Sequence, residues 1–159
     1  MINTEINLVR KKVNDLLPYE NNPRHNDDAV DPVSKSIVKY GYKVPIIIDS
    51  EGTVVTGHTR LKALQKLGVE EVDVILADDL NEEQVREFRL VDNKVSEFAK
   101  WDSVKVEEEM ATLENSLEEF GFISLSDIDY DQFFEDITEE KEKKKKTMVC
   151  PHCGQEFEV

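Results

Sequence analysis

The sequence predicts an α+β domain over residues 1–100, a small mixed sheet with helices, followed by an acidic helical extension. Three observations predict it. Short β-branched runs alternate with segments of helical period. Glycines punctuate the junctions between the two kinds of segment. The acidic surplus gathers after residue 100.

Ile6–Val9 and Lys12–Leu16 alternate like short strands, and Pro18–Arg24 is dense in turn formers. Asn22 before Pro23 is pushed to extended geometry, so this loop is stiff and ends on the cation Arg24. Asp31-Pro32 predicts a helix start. Val33, Ile37, Val38 and Tyr40 give its stripe, and Gly41 its end. Val44–Asp49 reads as a buried strand, Ser50–Gly52 as a turn and Thr53–Thr56 as the return strand. Gly57 breaks the pattern before a helix carrying Leu61, Leu64 and Leu67, capped by Gly68. Val72, Val74 and Leu76 alternate as another strand. Asn81 and Gln84 have capping-box spacing ahead of a helix with Val85, Phe88, Val91 and Val95 inward. Trp101-Asp102-Ser103 opens the extension over 101–138, in which a helix capped by Asp102 or Ser103 and carrying Val106, Met110, Leu113 and Leu117 ends at Gly121 and a short second helix follows over 128–137. Its stripe is expected to pack on its own domain rather than dock a partner. Residues 139–147 read as a charged linker and 148–159 as a Cys-x-x-Cys tail.

The formal net charge is −15. Residues 1–100 hold 14 Lys/Arg against 18 Asp/Glu, and residues 101–159 hold 6 against 17. Neutralising duplex phosphates needs a cationic face, so direct duplex DNA binding is not expected. A local cationic pocket in the first segment remains compatible with these numbers. No stretch approaches the roughly 20 apolar residues of a membrane span. Met1–Arg10 lacks a secretory signal's apolar core and cleavage site, so a cytoplasmic location is expected.

The most informative segment is Thr56-Gly57-His58-Thr59-Arg60. A glycine between strand and helix lets a ligand approach the backbone. The helix that follows offers free N–H groups and a dipole suited to an anion. Arg60 in its first turn can fork onto phosphate oxygens, and Thr56 and Thr59 add hydroxyls. Arg24 reaches the same place if the sheet brings the loops together. Neither the P-loop nor the dinucleotide fingerprint is present.

Asn22-Pro23-Arg24, Ser36-Ile37 with Gly41 and Pro45-Ile46-Ile47-Ile48, and Gly57-His58-Thr59-Arg60-Leu61-Lys62-Ala63 resemble, in order and spacing, the N-terminal domain of ParB partition proteins. That fold is shared with sulfiredoxins and free-serine kinases. The resemblance covers roughly residues 5–98 and implies binding of CTP or another nucleoside triphosphate with Mg²⁺. It places Gly57, Thr59 and Arg60 on the phosphates with Arg24 nearby. Ser36, Gly41 and Pro45 fall on the base and ribose side, and Asn93 at a further phosphate contact. Gly-His-Thr-Arg, Asp92-Asn93-Lys94 and Trp101-Asp102 are also similar to ParB-like domains of phages and mobile elements that precede DNA methyltransferases. The methyltransferase motif is absent, so a separate DNA-acting partner is implied.

The departures are specific. Thr59 stands where ParB has the first of two arginines. No helix-turn-helix follows, and no cysteine precedes residue 150, which leaves sulfiredoxin chemistry unsupported. His58 and Glu20 are the candidate acid–base groups, with helix shaping and plain surface placement as their alternatives. Asp49 and Asp78-Asp79 follow strands and are candidates to hold Mg²⁺. Cys150 and Cys153 resemble half of a zinc knuckle, completed by a second chain in a homodimer; the alternative is a tail with no metal. The reading is thus a nucleotide-binding accessory of DNA modification or partition. The alternatives are a small phosphotransferase or nuclease of the same fold, and an interaction protein with a vestigial pocket.

Overall fold

The computed structural model describes residues 4–124, 147–149, 152–153 and 156–158. Strand β1 (Leu8–Lys12) leads into a 3-10 turn at Val13–Asp15. Helix α1 (Val30–Tyr40), the hairpin β2 (Ile47–Ile48) and β3 (Val54–Thr56), helix α2 (His58–Lys66), strand β4 (Glu71–Leu76) and helix α3 (Glu82–Ser96) follow. The sheet runs β1–β4–β2–β3. β1 pairs antiparallel with β4, β4 parallel with β2, and β2 antiparallel with β3. This is the expected α+β fold.

The core gathers Val13, Leu16, Ile46, Ile48, Val54, Leu61, Leu64, Val72 and Val74. Alternation along β4 sends Val72 and Val74 inward and Glu71 and Asp73 outward, the signature of a strand with one wet face. Beyond Lys12, which ends β1, the run to Leu16 is not a strand: its apolar residues Val13 and Leu16 are buried by the 3-10 turn instead. The run Val44–Asp49 contributes only two residues to the ladder. One reason is that the Ile46 N–H donates to the Tyr42 hydroxyl at 2.6 Å rather than to a strand.

Helix α1 begins at Val30, before the expected cap. Asp31 caps nothing and pairs with Lys66 of α2 instead. Val38 points to solvent. Helix α3 starts as expected: the Gln84 N–H donates to Asn81 Oδ1, and the Asn81 N–H to Gln84 Oε1, both at 3.0 Å. Its inward seam differs. Val85 and Arg89 are buried, while Val91 and Val95 are more than half exposed. Arg89 holds the inward position four residues after Val85, Phe88 is half-buried, and Leu90, Val91 and Val95 face outward.

The burial of Arg89 is compensated. Its Nη2 donates to Asp49 Oδ2 at 3.3 Å and its Nε to the Val54 carbonyl at 3.3 Å. Its guanidinium also stacks 4.0 Å from the Tyr19 ring centroid. Asp49 Oδ1 accepts the N–H groups of Glu51 and Thr53, so one carboxylate shapes the β2–β3 turn and neutralises α3.

The extension forms helix α4 (Ser103–Ala111), capped by the Asp102 side chain. It stops at Ala111, short of the expected length. Gly121 instead follows a 3-10 turn at Glu118–Phe120, where φ is +88°. That turn docks on α1. Phe120 meets Tyr40 with ring centroids 6.0 Å apart, and Glu119 reaches Lys35 and Lys39. The first compact unit therefore continues past residue 100 to Phe122, and the second spans Ile123–Val159. In the second unit, β5 (Thr147–Val149) pairs antiparallel with β6 (Glu156–Glu158). The helix expected over 128–137 and the linker up to residue 146 lie outside the described residues. Among the described residues, no helix is long and apolar enough to cross a membrane.

Candidate functional site

A cleft of about 630 Å³ opens where α1, the approach to β2, the start of α2 and α3 converge. The short β3 ends at Thr56, and Gly57 turns the chain into α2 with φ +102° and ψ 25°. A β-carbon at Gly57 would lie 3.1 Å from two Arg60 guanidinium nitrogens and 3.2 Å from Ile46 Cγ1. The conformation therefore favours glycine, and a β-carbon would have to push the Arg60 side chain or Ile46 aside by a few tenths of an ångström. The first helical bond runs from the Leu61 N–H to the Gly57 carbonyl, at 2.9 Å. No side chain caps the helix, so the amides that begin it are left for a ligand or water.

Arg60 is half-buried beside this helix start, and burial pulls its pKa below the ordinary arginine value. Its Nη1 donates to the Val44 carbonyl at 3.2 Å, which fixes the fork. Arg24 approaches from the opposite loop. Asn22 Oδ1 accepts the Arg24 N–H, bracing the Asn22-Pro23-Arg24 turn. Arg24 Nη1 donates to Asn93 Oδ1 at 2.8 Å, and Asn93 Nδ2 donates to the Arg89 carbonyl at 2.7 Å. Asn93 thus uses both ends of its amide to position Arg24.

Lys43 also lines the cleft, and Asp92 is the one carboxylate among the described lining residues. Among the described residues, Arg24, Lys43 and Arg60 form no ion pair with a carboxylate. A chain of net charge −15 thus gathers three cations, Arg24, Lys43 and Arg60, at one concavity. Uncapped helix amides beside two positioned guanidinium groups suit a multiply charged anion.

The ParB N-terminal domain matches residues 3–94. The chain belongs to the ParB N-terminal domain family. It is 32% identical over 81 residues to the ParB-like nuclease domain-containing protein YnaK of Escherichia coli K12, covering 50% of this chain and 93% of that one. It is 31% identical over 87 residues to a probable chromosome-partitioning protein ParB of Campylobacter jejuni, covering 52% of this chain but 31% of that protein. The fold is shared with C-terminally truncated ParB from Caulobacter crescentus complexed with CTP-γ-S. The TM-score there is 0.59 at 20% identity, covering 70% of this chain and 65% of that one.

In this ParB-family chain the structure brings Arg24, Ser36, Gly41, Thr56, Gly57, His58, Thr59, Arg60 and Asn93 onto the same cleft. Pro45 and Glu20 are not among its lining residues. Asp49 is committed to Arg89 and two amides, and Asp78 accepts from Asn7 Nδ2. Neither carboxylate reaches the cleft. Sequence reasoning missed His25, Tyr42, Lys43 and Asp92 as lining residues. His25, Tyr42 and Asp92 each adjoin a residue that was singled out, Arg24, Gly41 and Asn93 in turn, and Lys43 lies two positions beyond Gly41. Of the two tail cysteines, Cys153 is exposed and Cys150 lies outside the described residues.

His58 has a defined proton state. Its Nε2 accepts the Tyr19 N–H at 3.3 Å, so the neutral ring carries its proton on Nδ1. Its pKa lies below the ordinary 6.5, chiefly because of burial, then because of the charges on Arg89 and Lys62. The sign of the effect on stability follows. Above pH 6.5 both folded and unfolded chains hold the ring neutral, and its contribution is fully present. As pH falls below 6.5 the unfolded chain takes up the proton first, and stability declines until the folded ring protonates. The wild-type melting temperature is therefore expected to fall more steeply below pH 6.5 than that of His58→Gln. Thermal melts at stepped pH measure the difference; parallel curves would show that His58 does not titrate this way.

Proposed function

We propose that this ParB-family chain is a nucleotide-binding module that serves a separate DNA-acting protein. Its cleft takes the phosphates of a nucleoside triphosphate, with CTP the first candidate. The observation that carries this reading is the pairing of an uncapped α2 N-terminus with Arg60 on one side of the cleft and Arg24 on the other. The α2 amides and Arg60 hold the phosphate chain, and Arg24, held by Asn93, closes over it. Ser36 and Gly41 lie on the α1 side of the same cleft, where the ribose and base would rest. Asp92 lines the cleft, and its carboxylate would meet a Mg²⁺ that enters with the phosphates.

The Caulobacter ParB complexed with CTP-γ-S supports this choice of ligand by analogy of fold. The strongly acidic composition argues that the DNA contact is made by the partner. DNA modification or partition in a phage or mobile element is the setting this reading favours.

The test is a titration of CTP, ATP, GTP and UTP, each with Mg²⁺, into wild-type protein and into Arg60→Ala. At least one nucleotide is expected to bind, and the variant to bind it at least about tenfold more weakly, the scale of one lost charge-assisted hydrogen bond. Failure of all four to bind overturns the reading.

A further inference from the structure

Helix α4 has nine residues and buries none of them. Helices shorter than about 12–15 residues are marginal in water, and in proteins most of their stability comes from packing an amphipathic face. The expected packing of this stripe on its own domain is only half achieved. Val106 and Met110 are half-buried, and Leu113 is 49% exposed. Trp101, 80% exposed, meets Phe122 edge to face with ring centroids 5.7 Å apart. Together with Leu117 these side chains line a groove of about 330 Å³. None of its lining residues lines the nucleotide cleft.

The groove is apolar and its surroundings are acidic. Residues 101–122 hold seven carboxylates against one lysine, Lys105, which pairs with Asp102 at 3.6 Å. Asp102 and Glu109 line the groove itself, and Glu108, Glu114 and Glu118 on the same segment are exposed. Glu107, Glu108 and Glu109 stand in the C-terminal half of α4, where the helix dipole is negative, and the last turn holds no basic residue. A cation placed there is favoured by the carboxylates and the dipole together.

We propose that this groove docks a cationic amphipathic helix of a partner protein. The apolar side chains of that helix fill the groove, and its flanking Lys or Arg residues meet the glutamates. That the partner is the DNA-acting protein rests on the function proposed above; proteins that neutralise phosphates carry such basic segments. Like charge disfavours two other occupants. A second copy brings the same acidic rim, and residues 125–140 of this chain hold seven carboxylates and no Lys or Arg.

The test uses the full chain without nucleotide. Trp101 is the reporter, because it is the sole tryptophan and lines the groove. A synthetic peptide of roughly 15 residues is titrated in, with leucines at helical spacing on one face and lysines on the other. A second peptide keeps the leucines and carries glutamate in place of every lysine. The lysine peptide is expected to bind saturably, to shift Trp101 emission to the blue, and to weaken as salt rises. The glutamate peptide is expected to leave the emission unchanged. Leu113→Ser should weaken the lysine peptide about tenfold, the scale of one buried apolar side chain. The double variant Glu108→Lys, Glu109→Lys should weaken it roughly fivefold, the scale of one or two surface ion pairs. Both variants should leave nucleotide titration unchanged. Arg60→Ala should bind the peptide as the wild type does, so that failure of the nucleotide reading is told apart from failure of this one. Four results would each overturn the proposal: no shift with the lysine peptide, equal binding of both peptides, undiminished binding by Leu113→Ser, or emission already blue in the free chain. In the last case, dependence on protein concentration would identify a second copy as the occupant, and independence a segment of the same chain.

Discussion

Asp49→Ala is expected to destabilise the first unit by about 4 kcal/mol, the scale for breaking a buried ion pair from one side. For a unit of this size that lowers the melting temperature by on the order of 10 °C. The side chains of Asp49 and Arg89 are only 18% and 10% exposed. Removing the carboxylate strands the guanidinium on a single carbonyl and the Tyr19 ring. It also takes the acceptor from the Glu51 and Thr53 amides that shape the β2–β3 turn. Arg89→Ala should cost less, roughly 3 kcal/mol, because the carboxylate left behind keeps both amide donors. The order of the two variants is the distinguishing result. Equal costs would mean that the ion pair alone matters and that the turn is formed without Asp49. Arg89→Lys should not rescue, since an ammonium cannot stack flat on Tyr19 while bonding both Val54 and Asp49.

Gly57→Ala is expected to abolish nucleotide binding and to lower stability by roughly 1–3 kcal/mol, the range for a residue forced into a sparsely allowed backbone region. The conformation at φ +102° is costly for any residue with a β-carbon. Space adds to the cost, because the new atom meets the Arg60 guanidinium and the fully buried Ile46. The flexible partner yields first, so Arg60 is displaced from its bond to Val44. The helix start and the cation beside it are lost together. Thermal melts and a titration on the same preparation check both effects. A stable Gly57→Ala protein that still binds nucleotide would show that the ligand does not approach the α2 start.

The parts of the fold written in local chemistry were legible in the sequence. The capping box of α3, the β2–β3 turn and the glycine before α2 each rest on residues within a few positions of one another, and each is present. The glycine before α2 and the loop arginine were legible from local sequence, and both line the cleft. The misreadings came from long-range partners. Arg89 reads as an exposed charge until Asp49, forty residues away, is seen beside it. Val91 and Val95 read as inward for the same reason: nothing local says that a charged side chain has taken the inward seam. Likewise nothing local announces that Phe120 and Glu119 dock on α1, a contact spanning some eighty residues. Asn93 was singled out for a phosphate; in the structure its amide lines the cleft and holds Arg24, a role that no spacing rule encodes.

The central claim is that Arg60 and the α2 N-terminus hold phosphates. The most direct measurement is the affinity of the nucleoside mono-, di- and triphosphates of the preferred base, for wild-type protein and for Arg60→Ala. The account predicts that affinity climbs with each added phosphate in the wild type, and that this climb is flattened in Arg60→Ala. Equal affinity for mono- and triphosphate in the wild type, or an undiminished climb in the variant, would contradict it.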